Sequence, residues 1–226
     1  MSYNVNCPFG PLIYTTDISG QFHQFLLDGL DKCRNTQDAR EYLLGNIEKQ
    51  RYAPYDPTKF IDFINPHVMN YMKEKNERSN KTKETCNWDT TVGSPVIKES
   101  DIRYNLGAGP WVNFQQKGEF NPLHNHGGIV SAVVFIKIPE ELKQERLKST
   151  FSAKAAGCLE FVYMDQHIVV RPKEAMMYLF PAYLKHTVYP YQSDVERISM
   201  SFNLYEVMVD NVPVRPADDI VCYSDV

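Results

Sequence analysis

Short β-rich runs follow one another through the second half of this sequence and constrain its fold more than any other feature. The clearest are PWVNFQQKG, GIVSAVVFIKIP, GCLEFVY, HIVVRP, AMMYLFP, HTVYPY and RISMSFNLYEV. Glycine, proline, asparagine and aspartate punctuate them, which is typical of β-sandwiches and jelly rolls. The exception is PEELKQERLK, which indicates a helical turn or a charged excursion. The runs predict a double-stranded β-helix core, of the jelly-roll or cupin-like kind, over residues 96–206.

The first 95 residues carry helical patterns instead. In SGQFHQFLLDGLDKCR, with Ser19 as the cap, one helical stripe holds Phe22, Phe25, Leu26 and Leu30. TQDAREYLLG predicts a short helix that ends at Gly45, and a longer helix begins at Asp56 and Pro57, with a polar end and a loop over residues 73–87. We expect an α+β chain forming one domain over 1–226, with a helical layer over 1–95 and a tail over 207–226.

Composition narrows the classes of function. The formal net charge is -4 and no basic block is present, which argues against a duplex-DNA partner. The N-terminal residues do not resemble a signal peptide, and no apolar run is long enough to span a membrane. The five cysteines are scattered and form no CxxC pair, so reduced thiols are expected. These features predict a cytoplasmic protein without a membrane partner.

A pair of histidines lies in the stretch NPLHNHGG. His124 and His126 are two residues apart, so in a strand their side chains would project to the same side, as a chelating pair requires. Gly127 and Gly128 permit a sharp turn behind them. Two polar histidines in a surface loop fit this stretch equally well, so the pair alone leaves both interpretations open.

The segment from His186 to RISMSFN favours a site. Arg197 lies eleven residues after His186, and Ser199 shares its face of the predicted strand. The opposite face is apolar and is expected to pack against the helices. An inward-facing arginine is costly to bury unless an anion meets it, and its planar fork suits a carboxylate. The alternative is an ordinary amphipathic strand with a solvated polar face.

Together these segments resemble the Fe(II)- and 2-oxoglutarate-dependent oxygenases, in the prolyl-hydroxylase-like group that includes bacterial and phage members. The family motifs appear as HNH, GCLEF, LFPAYLKHTV and RISMSFN, and the resemblance covers residues 98–206. It implies a bound Fe(II), with 2-oxoglutarate and O2 as cosubstrates. It also implies that Arg197 and Ser199 hold the far carboxylate of 2-oxoglutarate, with Asn113, Gln115 and Ser131 as further candidates around the site.

One position departs from the family pattern. Members ordinarily bind iron through two histidines and one carboxylate, and His126 stands at the carboxylate position. Three interpretations follow: His124, His126 and His186 all bind the metal; Glu160 or Asp165 completes the set; or the site is degenerate and only binds a metal or a ligand. The first is favoured because the spacing fits and the motif contains no acid.

The leading hypothesis is therefore a hydroxylase acting on a C–H bond of a protein side chain, such as proline, or of a small molecule. The alternatives are a three-histidine cupin-type dioxygenase that does not use 2-oxoglutarate, and a non-catalytic β-sandwich for binding or assembly. The N-terminal residues match no chemical motif, so they either shape the substrate channel or form a homodimer surface. Trp111, Phe135 and Phe180 are expected in the core, and His23, His67 and His167 outside the site.

Overall fold

The computed structural model of the chain describes residues 2–6, 10–86, 102–148, 152–209 and 211–214. The strands in these residues are β1 (Tyr3–Asn6), β2 (Ile13–Asp17), β3 (Gln50–Tyr52), β4 (Ile102–Asn105), β5 (Trp111–Gln115), β6 (Asn121–His124), β7 (Val130–Lys137), β8 (Leu159–Tyr163), β9 (Gln166–Val170), β10 (Met176–Pro181), β11 (Lys185–Val188), β12 (Arg197–Val209) and β13 (Val212–Pro213). The helices are α1 (Gln21–Cys33), α2 (Pro57–Cys86) and α3 (Glu140–Lys148), with short 3-10 turns at Arg40–Tyr42 and Ser152–Ala155.

Two antiparallel sheets form the core. The larger has the order β1-β2-β10-β7-β12-β5-β3, with β4 and β13 also pairing with β12, and the smaller has the order β6-β11-β8-β9. From β5 to β12 the chain passes back and forth between the two sheets. This alternation is that of a double-stranded β-helix, and it confirms the predicted fold class.

An apolar layer lies between the sheets and a second one lies outside. Between them pack Val133, Phe135, Leu159, Phe161, Phe180 and Leu184. On the outer face of the large sheet, alternate residues of β12 pack with the buried stripes of α1 and α2, as the period-two pattern predicted. The polar residues of the same strand, including Ser199, therefore face the space between the sheets.

The helices follow the predicted patterns with shifted ends. α1 begins after Gly20, whose φ is 106°, and Ser19 is not its cap. Asp56 caps α2 as predicted, since its Oδ1 accepts a hydrogen bond of 2.9 Å from the backbone N–H of Lys59. α2 continues through Pro66 to Cys86, so nearly all of residues 73–87, where the sequence indicated a polar helix end and a loop, is helical. PEELKQERLK forms α3.

The N-terminal layer is not purely helical, which corrects the prediction for residues 1–95. TQDAREYLLG forms a single 3-10 turn at Arg40–Tyr42. β2 pairs with β10, and β3 pairs with β5, so these segments extend the large sheet at both edges. The edges of a sheet offer unpaired backbone groups, which short extended segments can satisfy. β12 continues past the predicted boundary at 207, to Val209, and pairs with β13.

Two further expectations concern the thiols and the membrane. Cys33 and Cys158 are buried and free. None of the helices in the described part of the chain is both long and apolar enough to cross a membrane.

Candidate metal centre and cosubstrate pocket

Three histidines meet at one end of the smaller sheet. His124 closes β6, His126 lies two residues beyond it, and His186 lies on β11 directly opposite His124. Their candidate ligand atoms all lie within 4.8 Å of one another. The ring centres are 4.9 Å apart for His124 and His126, 4.2 Å for His124 and His186, and 5.0 Å for His126 and His186.

The backbone around His126 differs from the predicted strand. β6 ends at His124, so His126 belongs to the segment that leads to β7. Its N–H donates to the carbonyl oxygen of Ala182 at 2.9 Å, which holds the segment against the turn after β10. Gly128 has a φ of 99°, and a Cβ there would lie 2.8 Å from the carbonyl oxygen of Leu204, so the turn requires glycine. The side chains of His124 and His126 therefore converge although only His124 lies in β6.

Hydrogen bonds determine which nitrogen of two of these rings is protonated. His186 Nδ1 lies 3.0 Å from the carbonyl oxygen of Leu184, and His124 Nδ1 lies 2.6 Å from that of Pro122. A carbonyl oxygen only accepts, so each Nδ1 donates its proton and each Nε2 keeps a lone pair. The Asn121 amide accordingly donates to His124 Nε2 at 3.1 Å. Both rings thus present an unprotonated Nε2.

Burial favours the uncharged form of all three rings. Desolvation is the first cause in each case: it lowers the pKa of His126 to about 4 and that of His186 to about 3, and it lowers the pKa of His124 as well. At neutral pH the three imidazoles are therefore uncharged, the form in which histidine binds a metal ion.

Neither candidate carboxylate joins the histidines. Glu160 accepts hydrogen bonds from the Tyr189 hydroxyl at 2.6 Å and from His167 Nδ1 at 3.2 Å. His186 pairs with the residue after Glu160 on β8, so the carboxylate points to the other face of the sheet. Asp165 is exposed in the β8–β9 turn. The three histidines are the one group of potential metal ligands found in the described residues, and this group contains no acidic side chain.

Arg197 is buried without an acidic partner. Its exposed fraction is 1 %, one terminal nitrogen donates to Gln115 Oε1 at 2.8 Å, and its guanidinium carbon lies 5.0 Å from the centre of the Phe135 ring. Within the described part of the chain, its Nε has no hydrogen-bond partner. No acidic side chain described there forms an ion pair with Arg197. Burial lowers its pKa to about 10, so it stays charged at neutral pH. A buried, uncompensated cation is suited to binding an anion.

The other predicted site residues divide into two groups. Ser199 and Asn113 lie opposite each other on β12 and β5, are buried, and line the cavity. The Asn113 and Gln50 amides face each other at 2.6 Å. Ser131, by contrast, donates to Asn203 Oδ1 at 2.7 Å, as a satisfied core hydroxyl does. Gln115 contacts Arg197 and does not line the cavity.

A cavity of about 390 Å³ joins these groups. The three histidines, Arg197 and Ser199 lie along its wall. Trp111 also lines it, with its ring centre 5.9 Å from that of His126, which corrects its placement in the core. Phe135 and Phe180 are core residues as predicted. His23, His67 and His167 lie outside the cluster, also as predicted.

Sequence reasoning missed the mouth of this cavity. Its wall includes Tyr42, Leu44, Leu106 and Tyr205, which come from loops and from the far end of β12. No acidic residue is among the described residues that line the cavity, and Arg197 is the one arginine or lysine there. No local motif marks such residues, because they meet only when the loops fold together.

The sequence profile of the family described as "Putative 2OG-Fe(II) oxygenase" matches residues 109–203. This stretch contains the three histidines, Arg197, Ser199 and Asn113. Over these residues the chain is similar to the 2OG-Fe(II) oxygenase superfamily. The cofactors of this superfamily are Fe(II), 2-oxoglutarate and O2, and the residues fit them: three neutral imidazoles suit a ferrous ion, and the unpaired Arg197 suits the far carboxylate of 2-oxoglutarate.

Solved structures resemble this chain distantly. A prolyl-4-hydroxylase from Pseudomonas putida is 13% identical, with 84% of this chain and 91% of that chain covered and a TM-score of 0.45. A Trichoplax adhaerens prolyl hydroxylase, bound to a hypoxia inducible factor peptide fragment, is 14% identical, with 85% and 83% covered and a TM-score of 0.49. HygX from Streptomyces hygroscopicus, with nickel and 2-oxoglutarate bound, is 9% identical, with 85% and 82% covered and a TM-score of 0.45. No curated protein matches the chain.

Proposed function

We propose that this chain is an Fe(II)- and 2-oxoglutarate-dependent dioxygenase that hydroxylates a C–H bond of its substrate. One observation carries the proposal. Three neutral histidines and a buried arginine without an anion line the same cavity, so a metal ion and a dicarboxylate could be held side by side.

Each residue has a role in the proposed reaction. His124, His126 and His186 hold Fe(II). Arg197, with the Ser199 hydroxyl and the Asn113 amide on the same wall, binds the far carboxylate of 2-oxoglutarate. When bound, iron and 2-oxoglutarate supply the oxidising chemistry: O2 and 2-oxoglutarate are consumed, succinate and CO2 are released, and one oxygen atom enters the substrate.

The substrate is a protein side chain, such as proline, or a small molecule, and the cavity favours an uncharged reacting group. No described acidic residue lines the cavity to pair with a cation, and the positive charge of Arg197 is used by the cosubstrate. Tyr42, Leu44 and Trp111 offer apolar contact along the cavity wall instead.

Succinate formation tests the proposal. The purified chain is incubated with Fe(II), O2 and 2-oxoglutarate, together with a panel of peptides and small molecules. We expect succinate above the level of a metal-free control, and its loss in His186→Ala. Absence of succinate across the panel, in protein that is folded and iron-loaded, would contradict the proposal.

The three-histidine set favours one alternative, a dioxygenase that does not use 2-oxoglutarate. Such an enzyme would consume O2 with its substrate alone and would leave Arg197 without a role. Substrate-dependent O2 consumption is therefore measured with and without 2-oxoglutarate. A non-catalytic binding protein would consume O2 in neither case, and iron analysis of His124→Ala separates incidental histidines from metal ligands.

A further inference from the structure

Gln115 lies at the end of β5, opposite Arg197 on β12. Its side chain is fully buried, and its Oε1 accepts the hydrogen bond of 2.8 Å from the Arg197 guanidinium. Its Nε2 donates to the carbonyl oxygen of Glu119 at 2.6 Å and lies 3.3 Å from that of Tyr189. The amide is thus held from both ends, which fixes its orientation.

The backbone of this pair is held as well. The Tyr191 hydroxyl donates to the carbonyl oxygen of Gln115 at 2.5 Å, and it accepts from the backbone N–H of Arg197 at 3.2 Å. Tyr191 is itself buried. One tyrosine therefore ties the two strands together where the arginine and the glutamine face each other.

The informative feature is that Gln115, the hydrogen-bond partner of the Arg197 guanidinium, carries no charge. A buried arginine is ordinarily paired with a carboxylate, which cancels its charge. Here the partner is a neutral amide, so the guanidinium is oriented by a hydrogen bond but its charge is not cancelled. The buried Nε of Arg197 also has no hydrogen-bond partner among the described residues, so no acceptor of the chain offsets the charge there.

We propose that Gln115 is a positioning residue which fixes Arg197 without neutralising it, so that the full charge of the arginine acts on the far carboxylate of 2-oxoglutarate. This inference rests on the function proposed above. It makes the neutrality of position 115, rather than its hydrogen bond alone, a determinant of cosubstrate selectivity.

Comparing two 2-oxo acids isolates this effect. 2-Oxopentanoate has the same keto acid group and chain length as 2-oxoglutarate but lacks the far carboxylate. The ratio of the two affinities therefore reports the contribution of Arg197. Calorimetry under anaerobic conditions, on the full chain loaded with Fe(II), gives both dissociation constants, and iron content is determined for every variant.

We expect wild type to favour 2-oxoglutarate strongly and Arg197→Met to lose most of that preference. Gln115→Glu keeps the shape but adds a carboxylate beside the guanidinium, so the ratio should fall by about tenfold or more, since close buried charge pairs couple strongly. Gln115→Leu removes the hydrogen bond without adding charge, so its ratio should fall by less. Gln166→Glu, the same change at an exposed residue of β9, should leave the ratio unchanged.

The outcomes separate two failures. A wild-type chain without preference for 2-oxoglutarate, or an unchanged ratio in Arg197→Met, would contradict the proposed function itself. A wild-type ratio in Gln115→Glu, or an equal loss in Gln115→Glu and Gln115→Leu, would overturn the role of neutrality alone. If Gln115→Glu does not fold, a wild-type ratio in Gln115→Leu still overturns the positioning role.

Discussion

At the scale of single residues, the notable feature is an imidazole where the 2OG-Fe(II) oxygenases that this chain resembles ordinarily have a carboxylate. His126 is neutral, as are His124 and His186, so the proposed ligands bring no negative charge to the metal. A ferrous site here would be one charge unit more positive than a site with two histidines and one carboxylate. Imidazole binds ferrous iron well, so the change alters the charge of the site more than its capacity to bind metal.

His126→Asp should therefore retain stoichiometric iron, because it restores the common ligand set at the same position. His186→Ala should lose most of its iron, since it removes a buried, proposed ligand on β11. His167→Ala is the control, because that ring lies outside the cluster and contacts Glu160. Metal content after anaerobic loading and desalting measures all three. Full iron occupancy in His186→Ala would refute the ligand assignment.

At the scale of elements, β12 serves the core and the site at once. Ile198, Met200 and Phe202 pack under the helices, while the alternate residues Arg197 and Ser199 face the cavity. Because side chains alternate between the two faces of a strand, one face of β12 packs in the core and the other lines the cavity. A one-residue change of register would exchange them, so the pairing of β12 with β5 and β7 fixes the site and the core together.

Phe202→Ala should destabilise the fold by about 3–5 kcal/mol, the range for large aromatic truncations in a core. Phe202 is fully buried and meets Phe60 of α2 edge to face, with ring centres 5.4 Å apart. Val212→Ala, on the exposed strand β13, should change stability by no more than about 0.5 kcal/mol. Urea unfolding measures both. Similar midpoints for the two variants would show that α2 is not anchored through Phe202.

The segment after the 3-10 turn forms part of the cavity wall. Leu44 is 70% exposed yet lines the cavity. Gly45 packs against the backbone of Phe120 and Asn121, where a Cβ would lie 2.1 Å from the carbonyl oxygen of Phe120. The close packing anchors this segment beside β6, so we expect the exposed Leu44 side chain to contact a bound substrate.

Leu44→Ser should lower kcat/KM roughly tenfold for a substrate that supports succinate formation, the effect of losing about 1.4 kcal/mol of apolar contact. Leu147→Ser is a matched control, since Leu147 is 71% exposed on α3 and does not line the cavity. Steady-state kinetics and thermal unfolding are compared for both. Equal kcat/KM values would exclude Leu44 from substrate binding.

At the scale of the whole molecule, burial of neutral histidines couples folding to pH. Burial lowers the pKa of His67 to about 4, and the pKa values of His126 and His186 to about 4 and about 3. Each ring has a pKa near 6.5 in the unfolded chain. At a pH between the folded and unfolded pKa values, these histidines bind protons in the unfolded state but not in the folded state. Their contribution to the free energy of unfolding is therefore fully present above about pH 6.5 and is lost as the pH falls.

Metal-free protein should accordingly lose unfolding free energy as the pH falls from about 6.5 to about 4. His67→Gln removes one such group away from the metal centre, at the contact with the Tyr14 hydroxyl. Its stability should depend less on pH in this window, by up to about 1.4 kcal/mol per pH unit. Urea unfolding across this range measures the slope. Parallel curves for wild type and variant would contradict a neutral, buried His67.

By itself the sequence determined the class of fold, the outer face of β12 and the residue types of the site. These depend on local periodicity and spacing, which the chain carries without tertiary contacts. Tertiary structure decided the rest. The pairing of β6 with β11 brings His186 to His124, and the pairing of β5 with β12 places Gln115, not an acid, beside Arg197. Strand register and loop packing join residues far apart in the chain, and such contacts leave no local pattern to find.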